Sequence, residues 1–219
     1  MLRKVKGTMI RIGLFLWLVN FCCVAFAMDR SEMNEEERNR LDTFFSNFAE
    51  VFLPEFTLDA PENSALIDFG VRHTYLNRDY AVKRLQEDKL AVGLEEVQQV
   101  VRKYFGRSVR ACSTSQYTYK NGYFYLTPGA GDFVFAQILY WTEGQNGIWQ
   151  GKVAVYGAGS GFTGNVHGTS AEWEKTDSES MPELSAIYRV KASVSPEDAN
   201  RFILREYRLS DCCCGQEQR

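Results

Sequence analysis

The hydrophobic period of this chain changes once, near Ser113, from helical to extended, and that switch limits the folds open to it. Before it, apolar residues recur at intervals of three and four. After it they alternate or run in short blocks bounded by glycine and asparagine. Helices first and an antiparallel meander afterwards is an α+β pattern. The expected architecture is about three N-terminal helices packed on an antiparallel meander sheet of five to six strands.

The first helix is expected over Asp29 to Leu53. Asp29 and Glu32 have the spacing of a capping pair, and Glu35, Glu36 and Glu37 place negative charge where the helix dipole favours it. Leu41, Phe44, Phe45, Phe48, Val51 and Phe52 form one broad aromatic face, and Pro54 ends the run. A second helix is read from Ser64 to about Leu76, interrupted by Gly70. Residues 79–92 fit neither period well and are read as helical with a short extended end. Leu94 to Phe105 carries the clearest helical stripe, and Gly106 is its natural cap.

Beyond the switch, Asn121-Gly122 between two tyrosine-rich runs marks a type I′ hairpin. Phe133 to Thr142 and Ile148 to Tyr156 read as a second hairpin, and Leu184 to Val194 and Phe202 to Leu209 as two further strands. A glycine-rich connection, Gly157 to Gly168, lies between the two pairs.

The N-terminus bears on compartment. Arg3, Lys4, Lys6 and Arg11 precede an apolar run from Ile12 to Val24, and Ala25-Phe26-Ala27 is a small-x-small cleavage site. Residues 1–27 are therefore read as a signal peptide cleaved after Ala27, residues 28–211 as a single α+β globular domain, and residues 212–219 as a flexible cysteine-containing tail. The apolar run is short for a membrane span, so no stable insertion is expected after cleavage. A secreted or periplasmic location follows. Cleavage removes four cations and no acid, leaving a net charge of about −7. Such a charge opposes nonspecific binding to nucleic acid. Cys112 could pair with Cys212, Cys213 or Cys214 in an oxidising compartment, or stay a lone buried thiol.

Few motifs carry chemistry. Gly159-x-Gly161-x-x-Gly164 follows a strand, yet no helical stripe starts at the third glycine, as a dinucleotide site requires. A flexible loop, or one that closes over a ligand, is the reading kept, with Gly159 and Gly161 as candidate contacts. His73 and His167, the only histidines, have no neighbours at metal-ligand spacing, so neither metal nor cofactor is expected. Glu172 and Glu174 flank Trp173 as sugar-site residues would, but two acids one residue apart on a surface loop are usually just solvated. The remaining hint is aromatic: Tyr117, Tyr119, Tyr123 and Tyr125 are expected largely on one face of their hairpin, as core or as an exposed binding platform. The functional expectation is a non-catalytic envelope accessory domain engaging a protein or a small ligand. The competing class is a small extracytoplasmic hydrolase acting on cell-envelope material.

Overall fold

The computed structural model describes residues 28–57, 61–86, 89–129, 133–159, 161–176 and 180–210. The expected signal segment and Cys212–Cys214 lie outside the described residues. In chain order the elements are β1 (Met28–Asp29), α1 (Glu35–Ala49), α2 (Asn63–Asn77), β2 (Val82–Gln86), β3 (Lys89–Gly93) and α3 (Leu94–Phe105). They continue with β4 (Thr118–Lys120), β5 (Tyr123–Leu126), β6 (Phe133–Glu143), β7 (Ile148–Ala158), α4 (Ser170–Thr176), β8 (Glu183–Val194) and β9 (Phe202–Leu209). None of the helices among the described residues is long and apolar enough to cross a membrane.

The class is α+β, with antiparallel pairing throughout, but the strands form two sheets where one was expected. The larger runs β1-β6-β7-β8-β9 and the smaller β2-β3-β5-β4. The cause lies in residues 79–92. After a short 3₁₀ turn they form the hairpin β2–β3, and β3 offers its free edge to β5. Leu90 and Val92 point inward from β3, supplying the apolar face that the sequence pattern had left ambiguous.

Local chemistry sets the helix ends. Asn34, not Asp29, caps α1: its side chain accepts from the Glu37 amide at 2.8 Å. Asp29 is instead taken up by β1, opposite Tyr140 on β6. At the other end, the Phe52 amide bonds the Ala49 carbonyl and the Leu53 amide bonds the Phe48 carbonyl, a Schellman termination. It places Phe52 at φ 53°, a left-handed position glycine usually fills. The cap of α3 is the expected one, with Gly106 at φ 63°. Asn121 and Gly122 both have positive φ, as the type I′ turn demands.

The aromatic stripe of α1 forms the centre of the core. Phe45 meets Trp141 of β6 edge-on at 5.6 Å, and Phe48 lies among Phe69 of α2, Tyr104 and Phe105 of α3 and Tyr207 of β9. Such ring pairs contribute about 0.5–1.5 kcal/mol each beyond their area burial. Gly70 explains the crossing of α2 and α3, since a Cβ there would lie 2.7 Å from Val97 Cγ1. The other face of the larger sheet carries a second aromatic cluster. Phe135 and Tyr156 contact Trp173 of α4, and Phe162 stacks on Phe135.

Candidate functional site

The structure separates the four tyrosines of the β4–β5 hairpin. Tyr119 is registered with Phe124, whereas Tyr125 is registered with Thr118 and Tyr123 with Lys120. A two-residue turn pairs positions summing to an odd number, so the tyrosines of one strand share a face with even-numbered neighbours of the other. Tyr117 is buried and Tyr119 packs on the Phe124 ring at 4.8 Å, both on the core side. Tyr123 and Tyr125 face outward, and the Lys83 ammonium lies 4.3 Å from the Tyr123 ring centre. The expected single tyrosine face is thus corrected to two half-faces.

The glycine-rich segment is tied down over the larger sheet. The Trp173 indole donates to the Asn165 carbonyl at 2.7 Å, and the Gln137 side-chain amide donates to the carbonyls of Val166 and Gly168. Gly159 and Gly161 are exposed, and a Cβ on Gly161 would lie 2.9 Å from Ser180 Oγ. Helix α4 starts only at Ser170, six residues beyond Gly164, so the helix N-terminus a dinucleotide needs is not at the third glycine. Glu172, Trp173 and Glu174, read from sequence as surface loop, lie in this helix. Trp173 is 2 % exposed, closing the sugar-stacking reading, and Glu172 is a capping residue that accepts from the Thr169 amide at 2.6 Å. Those bonds from Thr169 lower its carboxyl below the usual range.

Both histidines serve polar networks. His167 Nδ1 lies 3.1 Å from Asp42 Oδ2, while Arg30 grips both oxygens of the same carboxylate at 2.7 and 2.9 Å. The Ile138 amide adds a third donor at 2.8 Å. A carboxylate orienting a histidine is half of a hydrolase triad, but among the described residues no hydroxyl or thiol hydrogen-bonds the far nitrogen of His167. With its charge met by arginine, Asp42 is a latch. His73 is buried, its Nε2 set between Asn47 Oδ1 at 2.9 Å and the Tyr104 hydroxyl at 3.1 Å. Burial, aided by the charges of Lys103 and Arg78, pushes its pKa down to about 3, so it is neutral. Cys112 is a free, half-buried thiol that accepts from the Asn63 side chain at 3.4 Å. Among the described residues no group of three His, Cys, Asp or Glu side chains could hold a metal ion.

A cavity large enough for a small ligand lies elsewhere, between the α1–α2 connection, one flank of α2 and the loop at Ser115. It measures about 630 Å³, within the usual range for small-molecule sites. Phe52, Pro54, Phe56, Pro61 and Phe69 give it apolar walls, and Asp68 and Arg72 place an acid and a guanidinium one helical turn apart. These two do not pair with each other among the described residues. The Thr114 hydroxyl donates to Asp68 Oδ1 at 2.6 Å and also accepts the amides of Gln116 and Tyr117, fixing the loop that forms the rim. Arg72 lies 5.2 Å over the Phe52 ring, and its buried Nε has no partner. Burial raises the Asp68 carboxyl above the usual range, against the opposing pull of the Thr114 bond. Sequence reading missed this site. The only signal was a carboxylate inside the apolar run Leu66-Ile67-Asp68-Phe69. Of the expected site residues, Tyr117 alone approaches it: its phenol pKa is raised chiefly by burial, with the charges of Arg72 and Asp68 acting on it as well.

Comparison with known protein families, with curated proteins and with solved structures finds no match for this chain.

Proposed function

We propose that this chain is an exported binding domain that takes a small amphipathic ligand in the Asp68–Arg72 cleft, without chemical turnover. The observation that carries the reading is an acid and a base on α2 that do not pair with each other and both line a cavity of about 630 Å³ with aromatic and proline walls. An acceptor and a planar donor one turn apart suit a ligand with a donor beside an acceptor, its apolar body lying along Phe52 and Pro54. Glu55 and Glu62 at the rim add negative charge, which favours a neutral or cationic ligand over an anionic one. Export rests on the basic, apolar and small-x-small order of residues 1–27.

Thermal-shift screening of the purified protein against amino acids, short peptides and envelope sugars tests the site. A true ligand raises the melting temperature in proportion to log concentration, and the shift disappears in Asp68→Asn and Arg72→Gln. A hit that both variants retain would place binding elsewhere. A hit that is consumed would favour the hydrolase. Export is tested separately by intact mass of the protein from its native host: loss of residues 1–27 is expected, and their retention would defeat the compartment argument.

A further inference from the structure

A second hollow, of about 170 Å³, forms where α1, α3 and the β8–β9 connection meet, and it shares no lining residue with the Asp68–Arg72 cleft. It gathers three cations, Arg40, Lys103 and Arg201, around three aromatic rings, Phe44, Tyr104 and Phe202. Arg40 and Phe44 stand one turn apart on the α1 surface, so helical geometry alone puts a guanidinium beside a ring. Phe44 stacks on Tyr104 at 6.1 Å and inclines to Phe202 at 6.2 Å. Arg40 sits 5.6 Å from the Phe202 ring centre and Lys103 4.9 Å from that of Tyr104.

The charge of this hollow is poorly compensated. Arg201 has a carboxylate, Glu197, at 2.8 Å. Among the described residues no carboxylate pairs with Arg40 or Lys103. Arg40 uses one nitrogen for the Asn200 carbonyl at 3.3 Å, which leaves most of its donor fork unused. Lys103 is half-buried, and burial together with the charges of Arg78 and Arg201 lowers its pKa. In a chain with more acids than bases, such a pocket gathers anions, and its low-dielectric walls strengthen the attraction. Size narrows the class. A hollow of about 170 Å³ suits a single small ring.

We propose that this hollow binds a small aryl or alkenyl carboxylate, its carboxylate held by Arg40 and Lys103 and its flat body laid against Phe44 and Phe202. Planar carboxylate matches the guanidinium fork, and the rings supply the apolar contact that a bare inorganic anion would not use. The proposal stands independently of the ligand assigned to the Asp68–Arg72 cleft.

Calorimetric titration of the purified protein with benzoate, benzamide and inorganic phosphate tests it. Benzoate should bind saturably, with the neutral amide and phosphate each weaker by about tenfold or more. Arg40→Gln and Lys103→Gln should each weaken benzoate by about tenfold with the melting temperature unchanged, while Asp68→Asn leaves benzoate affinity intact. Amide shifts on adding benzoate should centre on Thr43, Asn47 and Asn200, a readout that needs no variant to fold. Benzoate binding that is absent, equalled by benzamide or phosphate, or indifferent to both substitutions would overturn the proposal.

Discussion

At the scale of single residues, the two most informative positions are ones that sequence pattern alone would treat as ordinary. His73 is neutral because its site is dry and already cationic, with Lys103 and Arg78 nearby. Its pKa in the fold, about 3, lies below the ordinary value of 6.5, so the unfolded chain binds a proton that the folded one refuses. Stability from this group is fully present above about pH 6.5 and is lost as pH falls toward 3, with a slope of up to about 1.4 kcal/mol per pH unit. His73→Gln should flatten the acid limb of a stability-versus-pH curve between about pH 6 and 4 relative to the parent. Parallel curves for the two proteins would show that His73 is already charged in the fold. Phe52 is the other position. Its left-handed backbone costs a non-glycine residue about 1 kcal/mol, and the side chain is 55 % exposed, so little burial offsets that cost. Phe52→Gly should raise the urea midpoint by the equivalent of about 0.5–1 kcal/mol while weakening ligand binding in the adjoining cleft. A variant less stable than the parent would mean that the contact with Arg72 outweighs the strain.

At the scale of elements, the crossing of α2 and α3 depends on one missing methyl group. Gly70→Ala gains helix propensity of about 1 kcal/mol but drives a Cβ to 2.7 Å from Val97 Cγ1, where the backbone cannot give way without moving the helix. A net loss of about 1–3 kcal/mol is expected, with partial recovery in Gly70→Ala/Val97→Ala measured by the same denaturation. Retained stability in the single variant would mean that the helices slide apart cheaply. The same glycine shows where sequence was legible and where it was not. Helix α3 and the Asn121-Gly122 hairpin were readable because stripe, cap and turn residue agree locally. Gly70 weakened the reading of α2 because its reason, a neighbouring valine, lies 27 positions away in sequence. The β2–β3 hairpin was obscured for a related reason: its buried residues are covered only by segments distant in sequence, with β5 alongside β3 and α2 and α3 in contact with it. Helix α4 is one short segment whose Trp173 is held by rings from β6 and β7, so no local period announces it. The Asp68–Arg72 cleft was illegible in the same way, since its rim comes from Ser115 and Gln116, far along the chain from α2.

At the scale of the whole molecule, one ion cluster ties together four segments that are far apart in sequence. Arg30 follows β1, Ile138 belongs to β6 and His167 lies near the end of the glycine-rich connection; all three meet at the essentially buried carboxylate of Asp42 in the middle of α1. Arg30 also donates to the Ile138 and His167 carbonyls at 3.1 Å each, so its removal leaves two acceptors and a buried charge without their main partner. Breaking one side of such a pair costs about 3–5 kcal/mol, whereas replacing both partners by apolar groups costs much less. Arg30→Met should therefore be strongly destabilising, and Arg30→Met/Asp42→Leu should fall short of the sum of the single effects by more than about 1 kcal/mol. Additive losses would show that the cluster is no latch. The position of Arg30 links this energetics to processing. Cleavage after Ala27 would leave β1 and the arginine in place, so the exported chain would keep its N-terminal closure. A chain begun at Ser31 loses both the edge strand and the guanidinium, and its unfolding midpoint should drop at least as far as that of Arg30→Met. Equal stability of the chains begun at Met28 and at Ser31 would show that the first three residues contribute no closure, and that the carboxylate of Asp42 is held by His167 and the Ile138 amide alone.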